Sequence, residues 1–308
     1  MRAETLLQKN LSQGRFAVTC EFTQPCGTEP DQILKFAAKL KGKVDAVAVT
    51  DNTGANVGMA SWAVAKILLD LGIEPVLQMA TRDRNRIALQ SDLLGAAAMG
   101  IQNVLCLTGV HQAKGDHPQA KKVFDLDSIQ WITTVKQIRD QKCLMNDKKI
   151  SGPVPFFIGG VANPVAEPLE LHSINLRKKI AAGAQFIQTR PIMDMEHFSN
   201  WLNHAANQDL TNQCFLMAGV MPLASVKMAR DLQNNAPGLL LPDSIIKRLG
   251  EVPEDRQQEE GIKICIEQIE VLRQTNGIKG VHILAVGFEA RLEEIMKRAG
   301  LLPRPDIS

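Results

Sequence analysis

Glu21 closes the first β-type run of the chain, Phe16-Ala17-Val18-Thr19-Cys20-Glu21-Phe22. A carboxyl at the C-terminal end of a strand can donate or take a proton, and burial among apolar strands disfavours its charged form. Later runs end near further polar or Gly-marked positions: Thr50-Asp51-Asn52, Gln78, Thr108-Gly109, Asn163 and Thr189-Arg190, with Met221 after the seventh. One acid among mainly neutral hydrogen-bonding groups suits a large polar heterocycle. A metal would want several His or carboxylate ligands, and no short Cys/His cluster has zinc spacing. No close carboxylate pair of the glycosidase kind stands out, and no Ser/His/Asp set. The other reading of Glu21 is a rim residue paired with Arg or Lys.

The elements that must position these residues alternate. Strand-type runs are expected at 16–22, 44–50, 74–79, 103–109, 156–162, 185–189, 214–220 and 281–286. Several are short apolar runs bounded by Gly, Asp or Asn, as for strands buried on both faces of a parallel sheet. Helical patterns fall between them, at 31–40, 60–71, 85–99, 127–138, 167–182 and 223–232. Gly100 and Gly183 follow two of these patterns and should close them in left-handed caps. Eight strands alternating with helices, with no dinucleotide fingerprint, point to one closed (β/α)8 TIM barrel over residues 1–308. In such a barrel the strand C-termini carry the chemistry. Residues 110–126 form a long polar loop at that end, and loops of this kind are usually functional. Residues 234–279 insert extra helices before the last strand and read as outer packing.

Composition sets limits on partners. The chain has 308 residues, is 45% hydrophobic and 22% charged, and carries a net charge of +2. That is ordinary globular usage with no polyanion-binding surplus. Tyr is absent and aromatics are 4% of the chain, so stacking platforms for nucleic acid are not expected. No apolar run has the length of a membrane span, and Met1-Arg2-Ala3-Glu4-Thr5 lacks a signal-peptide apolar core. The six cysteines form no C-x-x-C pair and read as reduced thiols of a cytoplasmic protein. His282 lies within an apolar run and reads as a satisfied core histidine.

Ordered along the chain are Thr19-Cys20-Glu21-Phe22, Gln78-Met79-Ala80-Thr81-Arg82-Asp83-Arg84-Asn85, Leu107-Thr108-Gly109 and Gly115-Asp116-His117-Pro118-Gln119-Ala120-Lys121. Val123-Phe124-Asp125-Leu126-Asp127-Ser128, Val161-Ala162-Asn163-Pro164, Asn175-Leu176-Arg177-Lys178-Lys179 and Ala218-Gly219-Val220-Met221-Pro222 follow. In this order and spacing the chain resembles the methylenetetrahydrofolate reductase family from about residue 14 to 302. The Gly-Asp-His-Pro loop is similar to that of the short enzymes of some archaea and acetate-forming bacteria. The resemblance implies a non-covalent flavin at the barrel mouth, FAD in most members, with FMN also compatible. NADH or NADPH would reduce it, and methylenetetrahydrofolate would then take the hydride.

Glu21 matches the family's general acid. The implied flavin contacts are Thr50, Asp51, Asn52, Gln78, Thr108, Gly109, His117, Asp125, Asn163, Asn175, Lys178 and Lys179. Both lysines could reach a diphosphate as point charges, or form a solvated helix face. The implied substrate contacts are Val110, Arg190 and Met221. Three departures stand out. Val110 occupies the place of a common Asp, Arg190 the place of a Gln that meets nicotinamide or pterin, and Gln78 the place of a His. Two other readings are a flavin- or folate-binding subunit that takes electrons from a partner protein, and a flavin-free methylpterin methyltransferase. An oligomer is compatible with each.

Overall fold

The computed structural model describes residues 4–165, 168–236 and 238–305. The chain opens with α1 (Leu6–Ser12), β1 (Ala17–Phe22), α2 (Asp31–Leu40), β2 (Ala46–Val49) and α3 (Ser61–Asp70). It continues through β3 (Pro75–Ala80), α4 (Arg86–Ala98), β4 (Asn103–Leu107), α5 (Ser128–Gln141), β5 (Phe157–Ala162) and α6 (Leu169–Ala182). Next come β6 (Phe186–Pro191), α7 (Met195–Ala206), α8 (Leu210–Gln213), β7 (Phe215–Val220), α9 (Val226–Asn235) and α10 (Asp243–Gly250). The last elements are α11 (Gln257–Gln274), β8 (Ile278–Ile283) and α12 (Leu292–Arg298). The eight strands pair in sequence order and close through β1 and β8, so the chain is a (β/α)8 TIM barrel. Among the described residues no helix is long and apolar enough to cross a membrane.

Strand alternation sorts side chains into two layers. One parity packs outward under the helices: Val18, Cys20, Val47, Val49, Leu77, Ile158, Ile187 and Leu216 meet residues such as Ile33, Leu68, Leu93, Trp131 and Phe198. The other parity fills the barrel with Ala17, Ala46, Ala48, Val76, Leu105, Phe157, Phe186 and Met217, joined by Leu7 and Leu11 of α1. Phe186 occupies the interior because Gly159 has no side chain; a Cβ there would lie 2.2 Å from its ring. Glu74, just before β3, accepts from the Leu6 and Leu7 amides and so caps α1. Burial pushes its carboxyl pKa up, against the hydrogen bonds from α1 and Asn103.

Most expected elements stand within a residue or two of their places. Gly100 and Gly183 take positive φ of 92° and 121° after α4 and α6. The expected start of α6 at 167 lies outside the described residues. Three strands differ for physical reasons. β4 stops at Leu107, because Gly109 at φ 87° turns the chain off the sheet. β6 runs on to Pro191 through a bulge against β7 between Gln188 and Pro191. β8 begins at Ile278 and ends at Ile283, whereas the apolar run continues to Val286, which is exposed. The inserted helices do more than cover the outside. Leu249 of α10 and Ile264 of α11 join Met193, Met221, Leu223 and Leu241 in a separate apolar cluster. That cluster includes Met221, one of the residues that border the mouth of the barrel.

Candidate functional site

The strand C-termini surround a cleft of two adjoining lobes, of about 490 and 350 Å³. Thr53, Gln78, Leu107, Val161 and Arg190 border both lobes. Glu21, His282, Gln188, Thr189, Pro191 and Met221 border the smaller one alone, with Leu232, Ala236 and Leu239 from α9 and the loop after it. Asp51, Asn52, Arg82, Thr108, Gly109, Val110, Asn163, His172, Asn175 and Lys179 border the larger one alone. Among the described residues no three His, Cys, Asp or Glu side chains converge as a metal site would require.

Glu21 projects from β1 with 15% of its side chain exposed. Gln78 Nε2, reaching past β2 from β3, donates to Glu21 Oε2 at 3.3 Å. His282 Nε2 stands 3.9 Å from the same oxygen. On the other edge of the imidazole, His282 Nδ1 is 3.0 Å from Thr19 Oγ1. Thr19 and His282 are register partners across the β1–β8 seam, so barrel closure itself assembles this hydroxyl–imidazole–carboxylate row. His282 is buried, as expected, but it borders the site. Nothing local in the sequence marks its link to Glu21, because the two ends of the chain meet only when the barrel closes.

The larger lobe is built by loops that hold each other. Asn52, Gly54 and Ala55 all take positive φ, at 48°, 65° and 64°, so the loop after β2 folds tightly back. Gly115, in the long loop after β4, sits against the Ala55 carbonyl, which a Cβ there would meet at 1.9 Å. Val57 N donates to Asp116 Oδ2 at 2.9 Å and fastens the two loops together. The Asp51 carboxylate accepts from Ala80 N at 2.7 Å and from Arg84 Nη1 and Nη2 at 2.6 and 3.0 Å. It therefore clamps β2 to β3 beside the lobe. The Asn52 amide is also engaged, accepting from Gly58 N at 3.1 Å and donating to Asp83 at 3.4 Å.

Lys179, on α6, donates to the Val161 carbonyl. Burial lowers its pKa from the ordinary lysine value, partly opposed by Asp127. Burial likewise lowers that of Arg190. Asn163 Nδ2 donates to the Gly238 carbonyl at 3.0 Å, tying the loop after α9 to the end of β5. Asn163 Oδ1 is buried with no hydrogen-bond partner among the described residues. Gly238 takes φ 75°, and a Cβ there would lie 2.4 Å from Asn163 Nδ2.

The structure brings Glu21, Asp51, Asn52, Gln78, Thr108, Gly109, Val110, Asn163, Asn175, Lys179, Arg190 and Met221 to the cleft. Four expected site residues do not border it. Thr50 is buried and donates to Gln24 Oε1 at 2.7 Å. Lys178 points to the exposed face of α6. His117 is 66% exposed and pairs with Asp116 at 2.8 Å. Asp125 pairs with Arg86 at 2.8 Å, which pulls its pKa down to about 2. Sequence reading missed His172, Arg82, Gln188 and His282. Strand parity was the available signal for Gln188, two residues before Arg190.

The family profile described as Methylenetetrahydrofolate reductase matches residues 6–300. A probable methylenetetrahydrofolate reductase (NADPH) of Caenorhabditis elegans is 23% identical over 79% of this chain and 35% of its own length. Methylenetetrahydrofolate reductase 2 of Saccharomyces cerevisiae is 24% identical over 97% of this chain and 50% of its own. The chain thus spans half or less of the length of these relatives. An uncharacterized protein from Clostridium thermocellum, described as binding two copies of 5-methyl-5,6,7,8-tetrahydrofolic acid, superposes with a TM-score of 0.64. It is 14% identical and the match covers 96% of this chain and 99% of that one. At that identity the likeness concerns the fold alone, as it does for a 2,3-dimethylmalate lyase with a TM-score of 0.52 and 13% identity. The profile match runs over nearly the whole barrel, and on it the chain belongs to the methylenetetrahydrofolate reductase family.

Proposed function

We propose that this chain reduces 5,10-methylenetetrahydrofolate to 5-methyltetrahydrofolate by way of a bound flavin, with Glu21 as general acid. The observation that carries the reading is Glu21, the one carboxylate among the described residues that borders the smaller lobe, with Gln78 and His282 beside it. The donors and acceptors that line the larger lobe suit a flavin. Lys179 is a half-buried amine at the wall of this lobe, which suits a phosphate when protonated, and Asn163 Oδ1 is a buried acceptor that lacks a donor among the described residues. Gln78, Thr108, Gly109, Asn163, Asn175 and Lys179 would hold the cofactor, with Asn52 and Asp51 shaping the wall. When bound, the flavin stores the hydride supplied by NADH or NADPH.

The chain's own residues manage the proton and the water. The five-membered ring of the folate must open to a cationic iminium before hydride can arrive, and protonation of the ring nitrogen drives that opening. Glu21 supplies this proton from within the smaller lobe. Gln78 Nε2 fixes the carboxyl's orientation through its 3.3 Å hydrogen bond. His282, itself oriented by Thr19, stands where it can return a proton to Glu21 after each turnover. Met221, Leu232, Leu239, Leu284 and Val286 line this lobe with apolar surface and exclude water from the reacting atoms.

The test is the absorbance of the purified protein. A yellow protein bleached by NADH or NADPH is expected. A yellow protein bleached only by dithionite or a partner protein would favour the electron-accepting subunit. A colourless protein that binds a methylpterin would favour the methyltransferase.

A further inference from the structure

Gln188 is a polar residue in the barrel interior with no evident structural use. It is 2% exposed, and its Nε2 is buried with no hydrogen-bond partner among the described residues. Native structures rarely leave a buried amide nitrogen unpaired unless a ligand or water completes it. Its immediate neighbours across the sheet are apolar. Its register partners are Val161 on β5 and Met217 on β7, and Phe186 precedes it on the same inward face. Replacing an amide that lacks a partner by an apolar side chain of similar size is expected to cost little stability.

The backbone around Gln188 is specialised. The bulge in β6 begins at Gln188, and the Thr189 hydroxyl accepts from Gly219 N at 2.8 Å while donating to the Arg190 carbonyl at 2.9 Å. Gly219 permits this, since a Cβ there would lie 2.5 Å from the Thr189 carbonyl oxygen. Bulges of this kind re-aim side chains beside active sites. Here both Gln188 and Arg190 border the lobe that holds Glu21.

We propose that Gln188 is a specificity-determining residue that pairs its carboxamide with the lactam edge of a reduced pterin, the adjacent N–H and C=O of the ring. The inference rests on the reductase reading of the site. A carboxamide offers one donor and one acceptor side by side and matches a lactam edge in a bidentate pair. A site built to hydrogen-bond a ligand discriminates strongly, because its own buried groups are otherwise left unpaired.

The experiment uses the purified holoprotein and 5-methyltetrahydrofolate as the probe, with binding followed by calorimetry for wild type, Gln188→Leu and Gln188→Glu. Gln188→Leu should keep its flavin content and its melting temperature, because it removes an unpaired polar group. Both variants should bind the folate weaker by about ten-fold or more. Wild-type-like folate affinity in Gln188→Leu would overturn the proposal, as would a lowered melting temperature accounting for any loss in both variants. A wild type that binds flavin and folate while Gln188→Leu binds both equally well defeats this inference alone. A wild type that binds neither defeats the reductase reading and this inference with it.

Discussion

At the scale of single residues, the fold separates neighbours that a sequence cannot separate. Lys178 and Lys179 are adjacent, but a helix turns about 100° per residue, so one faces solvent and the other borders the cleft. Lys179→Ala should lower flavin occupancy as read from the absorbance ratio of flavin to protein, and Lys178→Ala should leave it unchanged. Holding a phosphate needs the protonated amine. Burial depresses the Lys179 pKa below the ordinary lysine value, with Asp127 partly opposing it. Flavin retention should therefore weaken with rising pH before an ordinary lysine, near about 10.4, would titrate. Without cofactor the sign reverses. The unfolded chain holds more protons in that window, so stability due to this group rises as pH rises through it. Lys179→Ala should remove both dependences.

His282 teaches a related lesson. Its contact with Thr19 joins residues 263 positions apart, so nothing local announces it. Glu21, in contrast, was legible because strand-end position alone marks it. His282→Ala should slow folate turnover by less than the roughly hundred-fold that losing a general acid costs. It should also alter the pH profile of that step while leaving flavin reduction by the donor unchanged. A loss confined to stability, with the pH profile unmoved, would make His282 a packing residue only.

At the scale of elements, β6 and β7 carry the least ordinary geometry. The bulge at Gln188–Pro191 presses the Thr189 and Arg190 carbonyls against Gly219, within 2.5 and 2.8 Å of where a Cβ would lie. Both contacts are with backbone, which cannot swing aside. Gly219→Ala should cost about 1–3 kcal/mol of stability, read as a lowered melting temperature, and should loosen the smaller lobe. Strand and helix rhythm were legible in the sequence because apolar runs and helical periods alternate so regularly. The bulge was not, since Gln188-Thr189-Arg190-Pro191 reads as a strand that simply ends early. The eighth strand was shifted for the opposite reason: the apolar run 281–286 outlasts the pairing, which starts at Ile278.

At the scale of the whole molecule, closure of the barrel does the work that short motifs do elsewhere. It brings β1 and β8 into register at Thr19 and His282 and so supplies Glu21 with its neighbour. It also sets the larger lobe, with Lys179, and the smaller lobe, with Glu21, side by side across Gln78 and Arg190. The fold and the family could be read from the sequence, one from rhythm and the other from ordered motifs. The division of the cleft could not, because it depends on which inward-facing side chains remain unpaired after packing. The central claim is that this cleft delivers a proton from Glu21 to the folate, separately from loading hydride onto the flavin. The most direct test is stopped-flow absorbance of donor-reduced holoprotein mixed with methylenetetrahydrofolate, comparing wild type with Glu21→Gln. Both proteins should be reduced by the donor at similar rates. Wild type should then be reoxidised by the folate, and Glu21→Gln should be slower in that step by about a hundred-fold or more. Equal slowing of both half-reactions, or equal reoxidation rates in the two proteins, would contradict the claim.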